Sequence, residues 1–277
     1  MTTLQLTRQC RTAERTKHHR AAHRLPRFSI VIGLTLLSTG CSQPPEPTLP
    51  PPVPQVTVAP SLEGTVAAWI RAYREDVGVP GFDLVPRPEE AGIEAMRRGE
   101  AALAISLLDP PDGWFATPLA TEAIVVVVHP SNPVRDLSLD DLADLFTGRI
   151  ADWSALGGET VPVQLLVPTP EDGLRQRFEA VVLDEASVWP GARIAPSPEA
   201  IVSLAQADRG AIGYLPLSQV VSGLRVLRLD GVDPEAASLA GGRYPLTFTI
   251  VATAPEEPTS AVRDWLVWLQ ATYPIVP

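Results

Sequence analysis

The chain has 277 residues, 45% of them hydrophobic, which is enough material for two lobes or for one domain behind a leader. Of its 22 basic and 32 acidic residues, seven basic residues and one acid fall within residues 1–40, which leaves 15 basic and 31 acidic residues after them. The part of the chain after residue 40 is too acidic to bind nucleic acid, because contacts to phosphate groups need clustered Lys and Arg.

The first 40 residues have the features of a secretion signal. A basic segment precedes the apolar run 28–37, which is shorter than the about 20 residues that a membrane-spanning helix needs. The sequence Leu-Ser-Thr-Gly-Cys41 follows and is similar to a bacterial lipobox. We therefore expect a signal peptide over 1–40 and lipidation of Cys41. The alternative is a signal anchor with an incidental cysteine.

A proline-rich segment follows Cys41. Residues 42–60 contain eight prolines, which predicts a semi-rigid polyproline II tether over 41–55. The alternative is a recognition motif for a proline-binding partner. With Cys41 lipidated, this tether predicts a globular body held at a membrane on the extracytoplasmic side, in the periplasm or at the cell surface.

From Val56 onward, strands alternate with helices. Apolar periodicity predicts strands at 56–59, 82–85, 102–106, 122–128, 161–167, 211–215, 224–229 and 246–252. Predicted helices begin at Ser61, Pro88, Ser138, Gly173, Ser197 and either Thr259 or Ser260. The pair Ser138 and Asp141 fits a capping box. This alternation predicts an α/β fold with mainly parallel sheets.

Four motifs in the middle of the chain identify a resemblance. In order they are Asn132-Pro133 after an apolar strand, Phe146-Thr-Gly-Arg-Ile150, Trp153, and Ala211-Ile-Gly-Tyr214. Their order and spacing resemble those of the phosphate-binding receptors of ABC importers. Phe146 and Trp153 are expected to be packing residues that mark the fold rather than the ligand site.

The resemblance implies a two-lobed fold of the periplasmic-binding-protein type (type II). Each lobe would be a mainly parallel sheet flanked by helices, with two crossover strands near 124–127 and 212–217. The first lobe would hold 56–125 together with 216–277, and the second would hold 126–215. A small oxyanion such as phosphate would lie in the cleft between the lobes, and an ABC permease would be the partner.

By resemblance, three segments would supply the ligand contacts. The first is the loop into the first helix, where Ser61 and Leu62 lie; Ser61 fits either a hydroxyl donor or an ordinary helix cap. The second is the end of the third strand, where Ser106 is the candidate. The acidic residue that the family has before this strand is missing, because residues 101 and 102 are both Ala.

The third segment departs from the family pattern. The family has an Arg, three further residues and then Ser-Gly-Thr-Arg. Here Pro168 stands for the first Arg, and Asp172, Gly173, Leu174 and Arg175 complete the segment. One guanidinium and two hydroxyls are lost and a carboxylate is gained, although Asp172 also fits a helix cap. Arg175 is expected to face solvent. We therefore expect weak phosphate binding or a less charged ligand.

The sequence contains no motif that supports an enzymatic function. His129 is the only histidine after the leader, which excludes a His-based metal site and a His-dependent triad. Phosphate-loop and dinucleotide motifs are absent, so we expect no cofactor, no metal and no enzymatic activity. The sequence favours a membrane-anchored solute-binding protein that delivers an oxyanion to an ABC importer. The alternative is a non-transport sensor or interaction module with a degenerate cleft.

Overall fold

The computed structural model of the protein describes residues 53–273. The predicted signal peptide, the lipidation site at Cys41 and most of the predicted tether lie outside these residues. Among the helices that are described, none is both long and apolar enough to cross a membrane.

Eleven strands and seven α-helices make up the described part of the chain. The strands are β1 Gln55–Val58, β2 Asp83–Pro86, β3 Leu103–Ser106, β4 Phe115–Val128, β5 Asp136–Leu137, β6 Gln164–Val167, β7 Arg193–Ile194, β8 Ala211–Pro216, β9 Arg225–Val226, β10 Arg228–Leu229 and β11 Thr247–Ala254. The helices are α1 Glu63–Val77, α2 Glu89–Arg97, α3 Leu139–Phe146, α4 Gly173–Phe178, α5 Pro198–Ala207, α6 Ala236–Ala240 and α7 Ser260–Thr272.

The long strand β4 joins two groups of strands. Its residues 115–123 pair with β11, which continues through β3 and β1 to β2; this is the first strand group. Its residues 124–128 pair with β8, which continues through β6 to β7; this is the second strand group. Strand β4 thus changes partner close to the predicted crossover at 124–127.

Both strand groups are mixed. The outer pairs β1–β2, β1–β3, β6–β7 and β6–β8 are parallel. The pairs that involve β11 or β4 are antiparallel. The antiparallel strands β11 and β4 therefore lie where the two groups meet, while the parallel strands lie on the outer sides, and the whole is an α/β fold.

The segment after β8 departs from the expected division into lobes. The sequence placed 216–277 together in the first lobe, but β9 pairs with Val127 and Val128 of β4, and β10 pairs with β5. Residues 225–229 therefore lie against strands that the sequence assigned to the second lobe. The single predicted strand 224–229 changes partner at Leu227, whose N–H donates to Val126 O at 2.9 Å.

Local sequence signals fix several helix ends. The Asp141 N–H donates to Ser138 Oγ at 3.0 Å, and the Ser138 N–H donates to Asp141 Oδ2 at 3.0 Å, so the predicted capping box is present. Ser197 Oγ accepts from the Ala200 N–H at 3.3 Å before Pro198 opens α5. The predicted helix from Gly173 divides into α4 and a π-helical turn, Glu179–Leu183.

An aromatic cluster holds the helices of the second strand group on the sheet. The rings of Phe178 and Tyr214 are stacked with centroids 3.9 Å apart, and Phe146 meets Phe178 edge-on at 4.7 Å. Trp153 is also buried and donates its Nε1–H to Gly210 O at 2.9 Å. Phe146 and Trp153 are thus packing residues, as the sequence predicted.

Replacing Phe178 by Ala should lower the free energy of unfolding by about 3–5 kcal/mol, because it removes a buried ring that contacts two other aromatic rings. Urea denaturation followed by circular dichroism measures the change. Val181→Ala, on a half-exposed neighbour, should change the free energy by less than about 0.5 kcal/mol. Equal losses in the two variants would contradict the packing role of the cluster.

Candidate functional site

The structure brings the three predicted ligand segments together. Ser61 and Leu62 lie in a 3-10 turn, Pro60–Leu62, between β1 and α1. Ser106 is the last residue of β3, and Asp172 immediately precedes α4. The N–H of Ser61 donates to Asp172 Oδ2 at 3.1 Å, so the first and third segments are in direct contact.

Ser61 is not the cap of the first helix. The α-helix begins only at Glu63, and no side chain caps it. The Ser61 hydroxyl is fully buried and, within residues 53–273, has no hydrogen-bond partner. Leu62 is buried in the hydrophobic core. Of the two residues, Ser61 is therefore the one with polar groups at the site.

Asp172 is the centre of the contacts at this site. Only 2% of the residue is exposed. Its Oδ1 accepts from the Leu174 N–H at 2.8 Å, as expected of a helix cap, while Oδ2 accepts from Ser61. Burial raises the pKa of the Asp172 carboxyl, and the hydrogen bonds from Ser61 and Leu174 oppose this rise. Leu174 contributes its backbone N–H, because its side chain lies in the core.

A second buried carboxyl group, that of Glu89, was not predicted. Glu89 is the first residue of α2, is 6% exposed, and accepts the Leu107 N–H on Oε1 at 3.2 Å. The pKa of Glu89 is raised to about 7, because burial and the charge of Asp172 raise it by more than the hydrogen bonds from Ser106 and Leu107 lower it. Acidic residues are common in the first turn of a helix, so nothing in the local sequence distinguishes Glu89 from them.

Gly173 allows the Glu89 carboxyl group to approach α4. A Cβ atom at position 173 would lie 2.2 Å from Glu89 Oε1, closer than two such atoms can come. The absence of a side chain at Gly173 therefore creates the space that the carboxyl group fills. Gly173 belongs to the site through this contact, as a residue that shapes it.

The third predicted segment, at the end of β3, completes the site. Ser106 is buried, and its Oγ accepts from the Leu108 N–H at 2.9 Å. The carbonyl of Leu107 accepts from Arg177 Nε at 3.0 Å, which ties this strand end to α4. Hydrogen bonds thus hold the end of β3 to α4 on one side, while Glu89 holds the Leu107 N–H on the other.

The prediction that Arg175 faces solvent was wrong. Its side chain is 15% exposed; Nε donates to Glu179 Oε1 at 2.6 Å, and Nη1 donates to Pro168 O at 3.1 Å. The Arg175 guanidinium lies along the helix surface because the Glu179 carboxylate, one helical turn further along the chain, accepts a hydrogen bond from it. Arg175 is therefore occupied by groups other than Asp172 and Glu89.

An open cavity of about 520 Å³ adjoins the buried Glu89 carboxyl group. Its charged lining residues are Glu89, Glu90, Glu94, Asp109 and Arg97. Four acidic residues and one basic residue line this cavity, which disfavours the binding of an anion there. Within residues 53–273, no group of three or more His, Cys, Asp or Glu side chains could hold a metal ion.

The contact between Gly173 and Glu89 can be tested by a double-mutant cycle. Gly173→Ala should lower the free energy of unfolding by roughly 1–3 kcal/mol, because the new methyl group displaces a buried carboxyl group. In a Glu89→Ala background the same change should cost close to nothing. Urea denaturation measures all four proteins. An equal cost in both backgrounds would show that the two residues do not interact.

Comparisons with known sequences agree with the fold. The family model described as the PBP superfamily domain matches residues 46–272. The phosphate-binding protein PstS of Bacillus subtilis (strain 168) is 32% identical over 203 residues, which cover 69% of this chain and 67% of that protein. The range that the family model matches, 46–272, includes both strand groups and all three segments of the site.

Solved structures with the same fold include two proteins of phosphate transport. One, from Clostridium perfringens, is provisionally assigned as a phosphate ABC transporter substrate-binding protein and was solved with bound phosphate. It gives a TM-score of 0.72 at 22% identity and covers 78% of this chain and 92% of that chain. The other, an ABC-type phosphate transport receptor from Vibrio cholerae, gives 0.64 at 18% identity, with coverages of 81% and 100%.

These likenesses confirm the predicted periplasmic-binding-protein type of α/β fold. The sequence matches confirm the family that the motifs from Asn132 to Tyr214 indicated. The chain belongs to the PBP superfamily and, within it, to the phosphate-binding proteins.

Proposed function

We propose that this protein is a membrane-anchored, extracytoplasmic solute-binding protein of the phosphate-receptor type, which delivers its ligand to an ABC importer and is not an enzyme. The observation that carries this proposal is the 32% identity to a phosphate-binding protein over two thirds of that protein's length. The convergence of the three predicted ligand segments at one place supports it.

The anchor is part of the proposal. A signal peptide over 1–40, a lipidated Cys41 and a tether over 41–55 would hold the body at a membrane surface, on the extracytoplasmic side. The body would comprise two lobes, 56–125 with 216–277 and 126–215. The pairing of β9 with β4 and of β10 with β5 supports grouping residues 225–229 with the second lobe.

The proposed ligand is a small oxyanion that binds weakly, or a less charged ligand. An anion taken into a cleft must recover its hydration through charge-assisted hydrogen bonds of about 1.5–3 kcal/mol each. Pro168, Asp172 and Leu174 stand where the family supplies such donors. The remaining candidates are the hydroxyl groups of Ser61 and Ser106 and the N–H groups of 61, 173 and 174. Two of these N–H groups already donate to Asp172, so an anion would have to displace the Asp172 carboxylate to bind them.

A non-transport sensor or interaction module with a degenerate cleft is the second candidate. The observation that favours it is the presence of the Asp172 and Glu89 carboxyl groups among the site's N–H donors. The two candidates differ in whether phosphate binding survives at all, so one titration distinguishes them.

Isothermal titration of the mature protein with inorganic phosphate should give a dissociation constant weaker than micromolar. Replacing Asp172 by Ser and Pro168 by Arg together should strengthen binding at least about tenfold, because the change removes a buried carboxylate and adds a donor. Glu171→Ser removes a neighbouring exposed carboxylate and should leave the constant unchanged.

A submicromolar constant for the natural sequence would contradict the expected weak binding and favour an ordinary phosphate receptor. No binding by either the natural protein or the double variant would favour the sensor or interaction module instead.

Mass spectrometry of the mature N-terminus should show a lipid-modified Cys41, and the protein should partition with membranes. The physical reason is the basic segment, the short apolar run and the Leu-Ser-Thr-Gly-Cys41 sequence. Cys41→Ser should abolish both the lipid mass and the partitioning. An unmodified Cys41 in a membrane-free product would rule out the proposed anchor.

A further inference from the structure

We propose that the cleft is liganded by its own side chains: the carboxyl groups of Glu89 and Asp172 take the place of an anionic ligand and keep the cleft closed while they hold one proton. This inference rests on the proposed function, because it concerns the regulation of the same site. Closure would then be set by pH, and it would not require a bound anion.

The first support is the use of the site's backbone donors. Three N–H groups converge from three segments that are far apart in the sequence, those of Ser61, Leu107 and Leu174. Asp172 accepts from Ser61 at 3.1 Å and from Leu174 at 2.8 Å, and Glu89 accepts from Leu107 at 3.2 Å. Oriented backbone N–H groups are what a bound oxyanion would use, and here carboxyl oxygens occupy all three.

The second support is that these contacts cross the cleft. The Ser61–Asp172 bond links the turn before α1 with the start of α4. Glu89, on α2, packs against Gly173, the first residue of α4. Arg177 on α4 donates to the carbonyl of Leu107 at the end of β3. The α4 segment is thus bound to three elements of the first strand group by contacts between protein groups alone.

The third support is the charge balance. Asp172 has two N–H donors and is the better placed of the two carboxyl groups to carry a negative charge. Glu89 has one N–H donor and the Ser106 hydroxyl, and burial raises its pKa to about 7. Burial favours the protonated form of Glu89, and repulsion from the negative charge of Asp172 adds to this effect, so the proton belongs on Glu89.

The surrounding charges do not relieve this repulsion. Glu90 and Glu94 on α2 and Asp109 beyond β3 line the same cavity and are acidic. Arg97 lies 3.8 Å from Glu94, and Arg177 lies 3.7 Å from Asp109. These guanidinium groups therefore pair with carboxylates other than those of Glu89 and Asp172. Arg175 on α4 is paired with Glu179.

The direction of the pH dependence follows from the raised pKa. With the cleft open, Glu89 would be in water and its pKa would lie near the ordinary 4.5; with the cleft closed, it is about 7. The contribution of Glu89 to closure is therefore complete below about pH 4.5 and is lost as the pH rises through 7. Above that pH, the cleft opens and the three N–H groups become accessible to solvent and to a ligand.

Hydrogen exchange of the full protein, measured by mass spectrometry without ligand between pH 5.5 and 8.5, tests the proposal directly. After correction for the intrinsic exchange rate, peptides that contain Ser61, Leu107 and Leu174 should be protected at the low pH. They should exchange at least about tenfold faster at the high pH. A peptide from β8, 211–216, should keep its protection throughout and so report that the protein stays folded.

Two matched variants sharpen the result. Glu89→Gln should stay protected across the whole pH range, because a carboxamide oxygen can accept the Leu107 N–H without becoming charged. Glu199→Gln, at an exposed acid in the first turn of α5 and outside this site, should keep the pH response of the natural protein. A pH response that survives in Glu89→Gln would overturn the proposal, as would protection that does not depend on pH in the natural protein.

Added inorganic phosphate separates this inference from the proposed function. If the three peptides exchange freely at every pH and gain protection only with phosphate, the self-liganded cleft is overturned and the receptor function stands. If phosphate changes nothing while the pH-dependent protection persists, the inference is supported and the phosphate-receptor function fails.

Discussion

The burial of the Asp172 carboxylate is the constraint on which the site depends. A charge withdrawn from water must recover its hydration from donors within the protein. Asp172 finds one donor locally, at Leu174, and one 111 residues away in the sequence, at Ser61. The first bond starts α4, and the second ties α4 to the turn before α1. One side chain therefore caps a helix and holds two distant parts of the chain together.

The rest of the site adapts to this carboxylate. Glu89 approaches α4 only because residue 173 is glycine, and its burial beside Asp172 favours its protonated form. A phosphate ion would meet both carboxyl groups and an acidic cavity lining. Backbone N–H groups that would suit an anion in this fold here donate to the protein's own carboxyl oxygens.

Local sequence signals predicted part of this arrangement. The helix cap at Asp172 could be predicted because its partner, Leu174, is only two residues further along the chain. The strand 124–128 could be predicted because all of its residues are apolar. The first half of β4 was missed because its alternating exposed residues and Pro118 read as a loop. The role of Glu89 was missed because its burial depends on Leu107 and Gly173, which are distant in sequence. Arg175 was misjudged because its contacts depend on the path of the chain at Pro168.

Fold and ligand chemistry are decided by different residues in this chain. Phe146, Trp153 and Tyr214 identify the family, and all three are buried in the packing of the second strand group. Pro168, Asp172 and Glu89 lie at or beside the cleft. Because the aromatic packing does not require a particular group in the cleft, the family's fold can persist while the ligand site changes. The step from family to ligand must therefore pass through the residues of the site, where two buried carboxyl groups accept hydrogen bonds from backbone N–H groups.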